Sequence, residues 1–248
     1  MVHGAFCGGW VFENFRAPFE AAGHVVLTPD LRGHGVDEPS SAVVGVSMSD
    51  YARDIAELAR RQPTPPVLVG HSMGGLVAAM AAAKVKVAGL VMLAPSPPWG
   101  VAGGSMEEAG SAMALYALGP YWAQAIEPDR FVAKLYSLDK MEAEDGREVA
   151  RRMRSESGRA MFETLNWWLD PFMTTSVQSG SVTAPVFAAV GDRDLINPSS
   201  TVRQTAAKFG AQARVFPGMS HWLVGEPGWD KVAADCLAWM DEALVKAA

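Results

Sequence analysis

Cysteine is nearly absent from this chain: Cys7 and Cys236 are the only two among 248 residues. Two thiols make no disulfide framework, so the fold must be held by its core, and reduced thiols in a cytoplasmic protein are expected. Charge is also sparse, at 19% of residues, and leans acidic, with 21 Lys and Arg against 27 Asp and Glu for a net of −6. No run of Lys and Arg offsets that balance. Nucleic acid and anionic membrane, which both reward clustered positive charge, are therefore not expected partners. Long apolar runs are missing too. The most apolar stretch, residues 76–94, is broken by Lys84, Lys86 and Gly89, whereas a membrane span needs about 20 mostly apolar residues. A buried helix followed by a strand fits that stretch better. The start of the chain shows no basic segment followed by an apolar one, so no signal peptide is expected. There is no Cys/His cluster at ligand spacing and no phosphate-binding glycine loop, so neither a metal nor an organic cofactor is expected.

What the chain has is apolar residues, 49% of the total, enough to fill the core of one α/β unit with an insertion. Short apolar runs bounded by Gly, Pro and Asp alternate with helical patterns, the mark of a parallel sheet wrapped by helices. The runs are residues 24–28, 67–69, 89–93, 185–190 and 213–216. All are continuous rather than alternating, as in strands covered on both faces. Residues 49–61 place Tyr51, Ile55, Leu58 and Ala59 on one helical face, with Ser47 available as a cap. Residues 76–83 are alanine-rich, which lets a helix lie close to the sheet, and residues 230–245 carry Val232, Cys236, Trp239, Met240 and Leu244 at helical spacing.

The middle of the chain differs. From residue 97 to 181 the strand signals vanish, and Met106, Met113, Met141, Met153, Met161 and Met173 accompany Trp99, Trp122, Trp167 and Trp168. Residues 131–138 and 148–166 look helical. The expected organisation is a core of residues 1–96 and 182–248 interrupted by a helical lid at 97–181. Packing accounts for most of these Met and Trp side chains. A minority, with Trp167 and Trp168 as candidates, suit an apolar substrate pocket.

The chemistry is concentrated after three strands. The run Val67-Leu68-Val69 leads straight into Gly70-His71-Ser72-Met73-Gly74-Gly75, and a helix follows at once. Strand, tight turn and helix are the context in which G-x-S-x-G presents a nucleophile, here Ser72. A serine hydroxyl needs a base, and the base needs an orienting acid. Residues 185–190 end in Gly191-Asp192-Arg193-Asp194, where Asp194 is the candidate acid. Asp192 is the alternative, expected instead to cap the turn or pair with Arg193. The last strand leads into Pro217-Gly218-Met219-Ser220-His221-Trp222, and His221 is the candidate base. His3, His24, His34 and His71 all precede the acid.

With these residues the sequence resembles the α/β-hydrolase superfamily over essentially its whole length. The opening Val2-His3-Gly4-Ala5-Phe6-Cys7-Gly8-Gly9-Trp10 is similar to the branch of serine esterases and hydroxynitrile lyases that includes plant methyl esterases. So is the stretch from Gly23-His24-Val25-Val26 through Pro29-Asp30-Leu31-Arg32-Gly33-His34-Gly35. The resemblance implies a mostly parallel sheet with flanking helices and an inserted helical lid. It implies two oxyanion-hole donors: the residue after the His-Gly pair, Ala5, and the residue after the nucleophile, Met73. Phe6 and Trp222 would then line the substrate pocket, His3 and His34 would hold loops, and Cys7 would be a pocket-wall or buried thiol. Members of the superfamily carry two or three strands before the His-Gly loop, which this chain reaches after two residues. The N-terminal strands are therefore expected to be missing, leaving a sheet edge with unpaired backbone.

The implied function is cleavage of a small to medium ester with an apolar moiety, through an acyl-enzyme on Ser72. The expected partner is that small-molecule substrate alone, and the expected assembly a monomer or homodimer. A hydroxynitrile lyase is an alternative. Those relatives, however, carry a lysine beside the last histidine and a threonine after the first, where this chain has Trp222 and Gly4. A ligand receptor that keeps the triad is another, and a lactonase, thioesterase or carbon–carbon bond hydrolase would use the same residues. Haloalkane dehalogenation needs an Asp where Ser72 stands.

Overall fold

The computed structural model describes residues 1–104 and 106–247, apart from the side chains of residues 107–109, 111–112 and 245–247. In chain order the helices and strands are α1 (Glu13–Ala21), α2 (Met48–Arg60), β1 (Val67–His71), α3 (Met73–Ala82), β2 (Gly89–Leu93), α4 (Met106–Tyr116), β3 (Ala125–Ile126), α5 (Arg130–Tyr136), α6 (Ala143–Arg152), β4 (Glu156–Ser157), α7 (Gly158–Leu165), β5 (Val186–Gly191), α8 (Ser199–Lys208), β6 (Ala213–Phe216) and α9 (Trp229–Ala247). Four strands form the main sheet in the order β1-β2-β5-β6, every pair parallel. The carboxyl ends of the strands therefore lie along one rim, where Ser72, Asp194 and His221 follow β1, β5 and β6.

The continuous apolar runs resolve into two cores by simple alternation. Leu68, Leu90, Met92, Ala188 and Val190 pack on one face with Tyr51, Ile55, Leu76 and Val202 from α2, α3 and α8. Val69, Val91, Leu93, Phe187 and Ala189 face the other way, against Phe15, Phe19, Val232, Cys236 and Met240 from α1 and α9. Every residue of α3 is buried, and its run of small side chains permits that close approach. Helix α2 starts where expected. The Ser47 side chain accepts the Ser49 N–H, and the Asp50 carboxylate accepts the Ser47 N–H at 3.0 Å, a reciprocal cap.

Two expectations are corrected. Residues 24–28 form no strand, and Val25 is 91% exposed. A strand needs a ladder partner, and among the described residues only Val2 pairs on the outer edge of β1, through a single parallel bridge to Gly70. Beyond that bridge, no strand among the described residues pairs with the outer edge of β1. An apolar groove lined by Val25, Leu27, Val67, Leu68 and Leu244 runs beside it. The second correction concerns residues 148–166, which are not one helix. Helix α6 stops at Arg152, and β4 pairs antiparallel with β3 before α7 begins. Two-residue strands are too short to announce themselves by periodicity. Ser157 sets the start of α7, its Oγ accepting the Ala160 N–H at 3.2 Å. The stretch between β2 and β5, called the insert below, is therefore mostly helical with one small sheet. No helix among the described residues is long and apolar enough to cross a membrane.

Gly191 closes β5 against the loop that carries His221. A Cβ there would lie 2.3 Å from the Met219 carbonyl oxygen and 2.4 Å from that of Ser220. Gly191→Ala is expected to cost about 3 kcal/mol in urea unfolding, because backbone on both sides must move. Gly110→Ala, with nothing within 4 Å of the new methyl group on α4, is expected to be neutral or stabilising by up to about 1 kcal/mol.

Candidate active site

Strand β1 ends at His71 and α3 begins at Met73, which leaves Ser72 alone to reverse the chain. It does so at φ 54° and ψ −127°, a region that side chains with a Cβ avoid. Backbone bonds hold it there. The Ser72 N–H donates to the Leu93 carbonyl at 2.9 Å, and the Ser72 carbonyl accepts from Gly75 at 2.9 Å and Ser96 at 3.1 Å. The flanking glycines make the turn this tight: a Cβ on Gly70 would sit 2.2 Å from the Gly74 carbonyl oxygen, and one on Gly74 2.2 Å from that of Val2.

The side chain so raised meets the two other sequence candidates. Ser72 Oγ lies 2.9 Å from His221 Nε2, and His221 Nδ1 lies 2.9 Å from Asp194 Oδ2. The carboxylate accepts from Nδ1–H, which leaves Nε2 free to accept the serine proton. The other Asp194 oxygen takes the N–H groups of Ile196 at 2.9 Å and Asn197 at 2.8 Å. Ser72 is half-buried, and Asp194 and His221 are each only 4% exposed. Asp192 stays outside this set. It accepts the Gly218 N–H at 2.7 Å and lies 3.7 Å from Arg193 Nε, the turn-capping and pairing expected of it.

Two N–H groups border Ser72. Met73 opens α3 with no side-chain cap ahead of it, so its N–H adds to the positive end of the helix. Gly4 approaches so closely that a Cβ there would lie 2.9 Å from Ser72 Cβ, which brings Ala5 alongside. Among the described residues the Ala5 N–H finds no acceptor. Phe6 is different: its N–H donates to Glu156 Oε2 at 3.3 Å. His3 and His34 both brace loops, His3 Nε2 accepting the Leu31 N–H at 2.9 Å and His34 Nε2 meeting Glu156 at 3.1 Å. Cys7 is buried and free, with its thiol pKa pushed up by burial.

Of the proposed pocket residues, Phe6 and Trp222 lie in loops of the core, and Trp167 and Trp168 lie in the insert. Trp222 is 4% exposed and packs its ring 5.5 Å from His71 and 6.4 Å from Trp10, as a wall behind the histidines. Trp167 is half-buried in the insert, edge-on to Trp99 at 5.4 Å, and Trp168 beside it is exposed. Among the described residues no group of three His, Cys, Asp or Glu could hold a metal ion.

Three supporting residues escaped the sequence reading. His71 donates its Nε2–H to the His221 carbonyl at 2.8 Å. Burial, with His221 alongside, pushes its pKa down to about 3, so it stays neutral. Its place inside the G-x-S-x-G turn was the available signal. Asn197 Nδ2 donates to the carbonyl of Ala94, itself at φ 45°. Glu226, fully buried, accepts the Ser220 N–H next to His221. Burial, reinforced by Asp139 and Asp194, pushes its pKa up to about 7 against the Ser220 bond and His221.

A parallel sheet whose carboxyl rim carries a strained serine, a histidine and an aspartate is the architecture of an α/β hydrolase. The profile described as "Alpha/beta hydrolase family" matches residues 1–235, and the chain belongs to that family. Among curated proteins it is similar to Methylesterase 3 of Arabidopsis thaliana, 37% identical over 83 residues, or 33% of this chain and 32% of that protein. It is also similar to Caffeoylshikimate esterase of Arabidopsis thaliana, 25% identical over 253 residues, 96% of this chain and 75% of that one. The chain thus spans about a third of the first relative and most of the second. Among solved structures, a methylesterase from Arabidopsis superposes with a TM-score of 0.73 at 19% identity over 97% of both chains, a likeness of fold.

The raised Glu226 carboxyl has a consequence for stability. Folded, it keeps its proton up to about pH 7; its ordinary value is 4.5. The folded state therefore binds the extra proton between those values, and stability falls as pH rises through that window. Glu226→Gln, which keeps an acceptor for Ser220, is expected to raise Tm by a few degrees at pH 8 and to leave it unchanged near pH 4. Calorimetry across pH checks both ends.

Proposed function

We propose that this chain is a serine esterase that cleaves a small to medium carboxylic ester with an apolar portion, through an acyl-enzyme on Ser72. The observation that carries this reading is the continuous hydrogen-bond chain Asp194–His221–Ser72, at 2.9 Å in each link. His221 Nε2 takes the Ser72 proton as Oγ attacks the ester carbonyl carbon. Charge then develops on the carbonyl oxygen, which the N–H groups of Met73 and Ala5 receive. The tetrahedral adduct collapses, the carbon–oxygen bond to the alcohol breaks, and His221 returns the proton to the departing alkoxide. Water, deprotonated by the same Nε2, attacks the acyl-enzyme, and Ser72 regains its proton as the acid leaves. Asp194 keeps Nδ1 as the donor and steadies the imidazolium that forms at each stage. The names of the esterase relatives support an ester as the bond cleaved. Residues 97–181 act as the lid over this site, with Phe6, Trp167, Trp168 and Trp222 assigned to the apolar part of the substrate.

A fluorophosphonate probe is expected to label Ser72 alone, read by peptide mass spectrometry. Ser72→Ala is expected to lose labelling and to lower kcat/KM on short p-nitrophenyl esters by at least about 10⁴-fold, and Asp194→Asn by roughly 10³- to 10⁴-fold. Labelling at another residue, or undiminished turnover by Ser72→Ala, overturns the mechanism. A panel varying acyl and alcohol size then locates the apolar side of the substrate.

A further inference from the structure

The loop that carries Ala5 is gripped by the insert. Phe6 sits at φ 63°, a left-handed conformation unfavourable for a bulky side chain. Both of its backbone groups bond to one short segment after α6: the N–H donates to Glu156 Oε2 at 3.3 Å, and the carbonyl accepts the Arg154 N–H at 2.8 Å. On the other side, His3 Nδ1–H donates to the Gly4 carbonyl at 2.8 Å. Because a peptide is planar and trans, fixing that carbonyl turns the Ala5 N–H the opposite way. The Ala5 N–H therefore belongs to a peptide held by the core, and the next peptide along is held by the insert.

Glu156 is unusually suited to the second task. It is fully buried, and its two oxygens accept four bonds. Oε1 takes the Tyr51 hydroxyl at 2.7 Å and the Ser157 N–H at 2.7 Å; Oε2 takes His34 Nε2–H at 3.1 Å and the Phe6 N–H. All four neighbours are donors, so only a carboxylate, with acceptors at both oxygens, satisfies them. His34 also meets the Arg32 carbonyl through Nδ1 at 3.2 Å. The pairing of β4 with β3 fixes where along the insert this carboxylate sits.

We propose that Glu156 is a positioning residue for the Ala5 half of the oxyanion hole. Through Phe6 it holds the peptide that follows the Ala5 N–H, whose own peptide His3 holds, and so links the seating of the insert to the rate of acyl transfer. This rests on the serine-esterase reading above. Glu156→Gln places an NH₂ group against a donor and breaks the grip. On a p-nitrophenyl ester that the wild type cleaves, kcat is expected to fall roughly 10- to 100-fold while KM moves less than about threefold. Binding of a trifluoromethyl ketone is expected to weaken by the same factor, and binding of the product acid to stay unchanged.

Glu163→Ala is the comparison. Glu163 joins insert to core by accepting the Ser47 hydroxyl at 2.9 Å and the Met48 N–H at 2.8 Å, away from the Ala5 loop. It is expected to lower Tm and leave kcat intact. If Glu156→Gln does not fold, Glu156→Asp, which keeps both acceptors at shorter reach, takes the same assays. The proposal is overturned if the Glu156 variant keeps kcat within about twofold, or if Glu163→Ala lowers kcat as much at equal loss of Tm. A wild type that takes no probe at Ser72 overturns the esterase reading instead. Hydrogen exchange at the Phe6 amide then decides the grip: protection lost in Glu156→Gln and kept in Glu163→Ala supports it, and protection unchanged in both overturns it.

Discussion

The strained reversal at Ser72 is the constraint around which the other parts are arranged. A lone residue with a Cβ does not hold φ 54° unaided. Here the bonds that hold it come from the sheet itself, since the Leu93 carbonyl at the end of β2 takes the Ser72 N–H. The conformation therefore depends on β1 and β2 staying in register, and on Gly70 and Gly74 admitting backbone where a side chain would clash. The contact of Gly74 with the Val2 and His3 carbonyls carries the same constraint into the His-Gly loop. The Ser72 turn and the His3-Gly4 loop are thus locked by one patch of backbone, with little left to side-chain chance.

How much of this the sequence disclosed follows from what kind of signal each part emits. Strands β1, β2, β5 and β6 are covered on both faces, so they appear as unbroken apolar runs. Ser72, Asp194 and His221 follow three of those runs and were legible for that reason. Residues 24–28 emit the same signal without forming a strand, because composition reports burial and not whether a ladder partner exists. Strands β3 and β4 were invisible because two residues cannot show a period. Glu156 and Glu163 were hidden for another reason. A lone acidic residue in a mixed helical stretch reads as solvent-facing, and only the fold reveals that donors from residues more than a hundred positions away converge on it.

Those two carboxylates help explain how an insert with many exposed apolar side chains stays attached. Phe131, Phe172 and Trp168 are 75%, 84% and 58% exposed, so apolar burial of these residues does not hold the insert to the core. Buried apolar residues of the insert, Leu138, Ala150, Met153, Ala160 and Val177, pack into the two cores, and buried polar joins add to them: Glu163 on the start of α2, and Glu156 on Tyr51, His34 and the Phe6 turn. Such joins tolerate no alternative register, because any slip strands a buried charge or an unpaired donor. An insert seated this way has a definite position against the Phe6 turn.

The imidazoles divide along the same logic. Burial works against a charge on His34, but the facing Glu156 carboxylate outweighs it and raises its pKa. His3 and His71 are buried without an acid partner, and burial, together with a neighbouring histidine in each case, pushes them down to about 4 and about 3. Their neutrality matters to the chemistry proposed. The ring of His71 lies 5.1 Å from that of His221, and a positive charge there would oppose the imidazolium that His221 must form when it takes the Ser72 proton. Kept neutral, His71 has an N–H for the His221 carbonyl and no charge to set against the base. It orients the loop without weakening the group that the loop exists to carry.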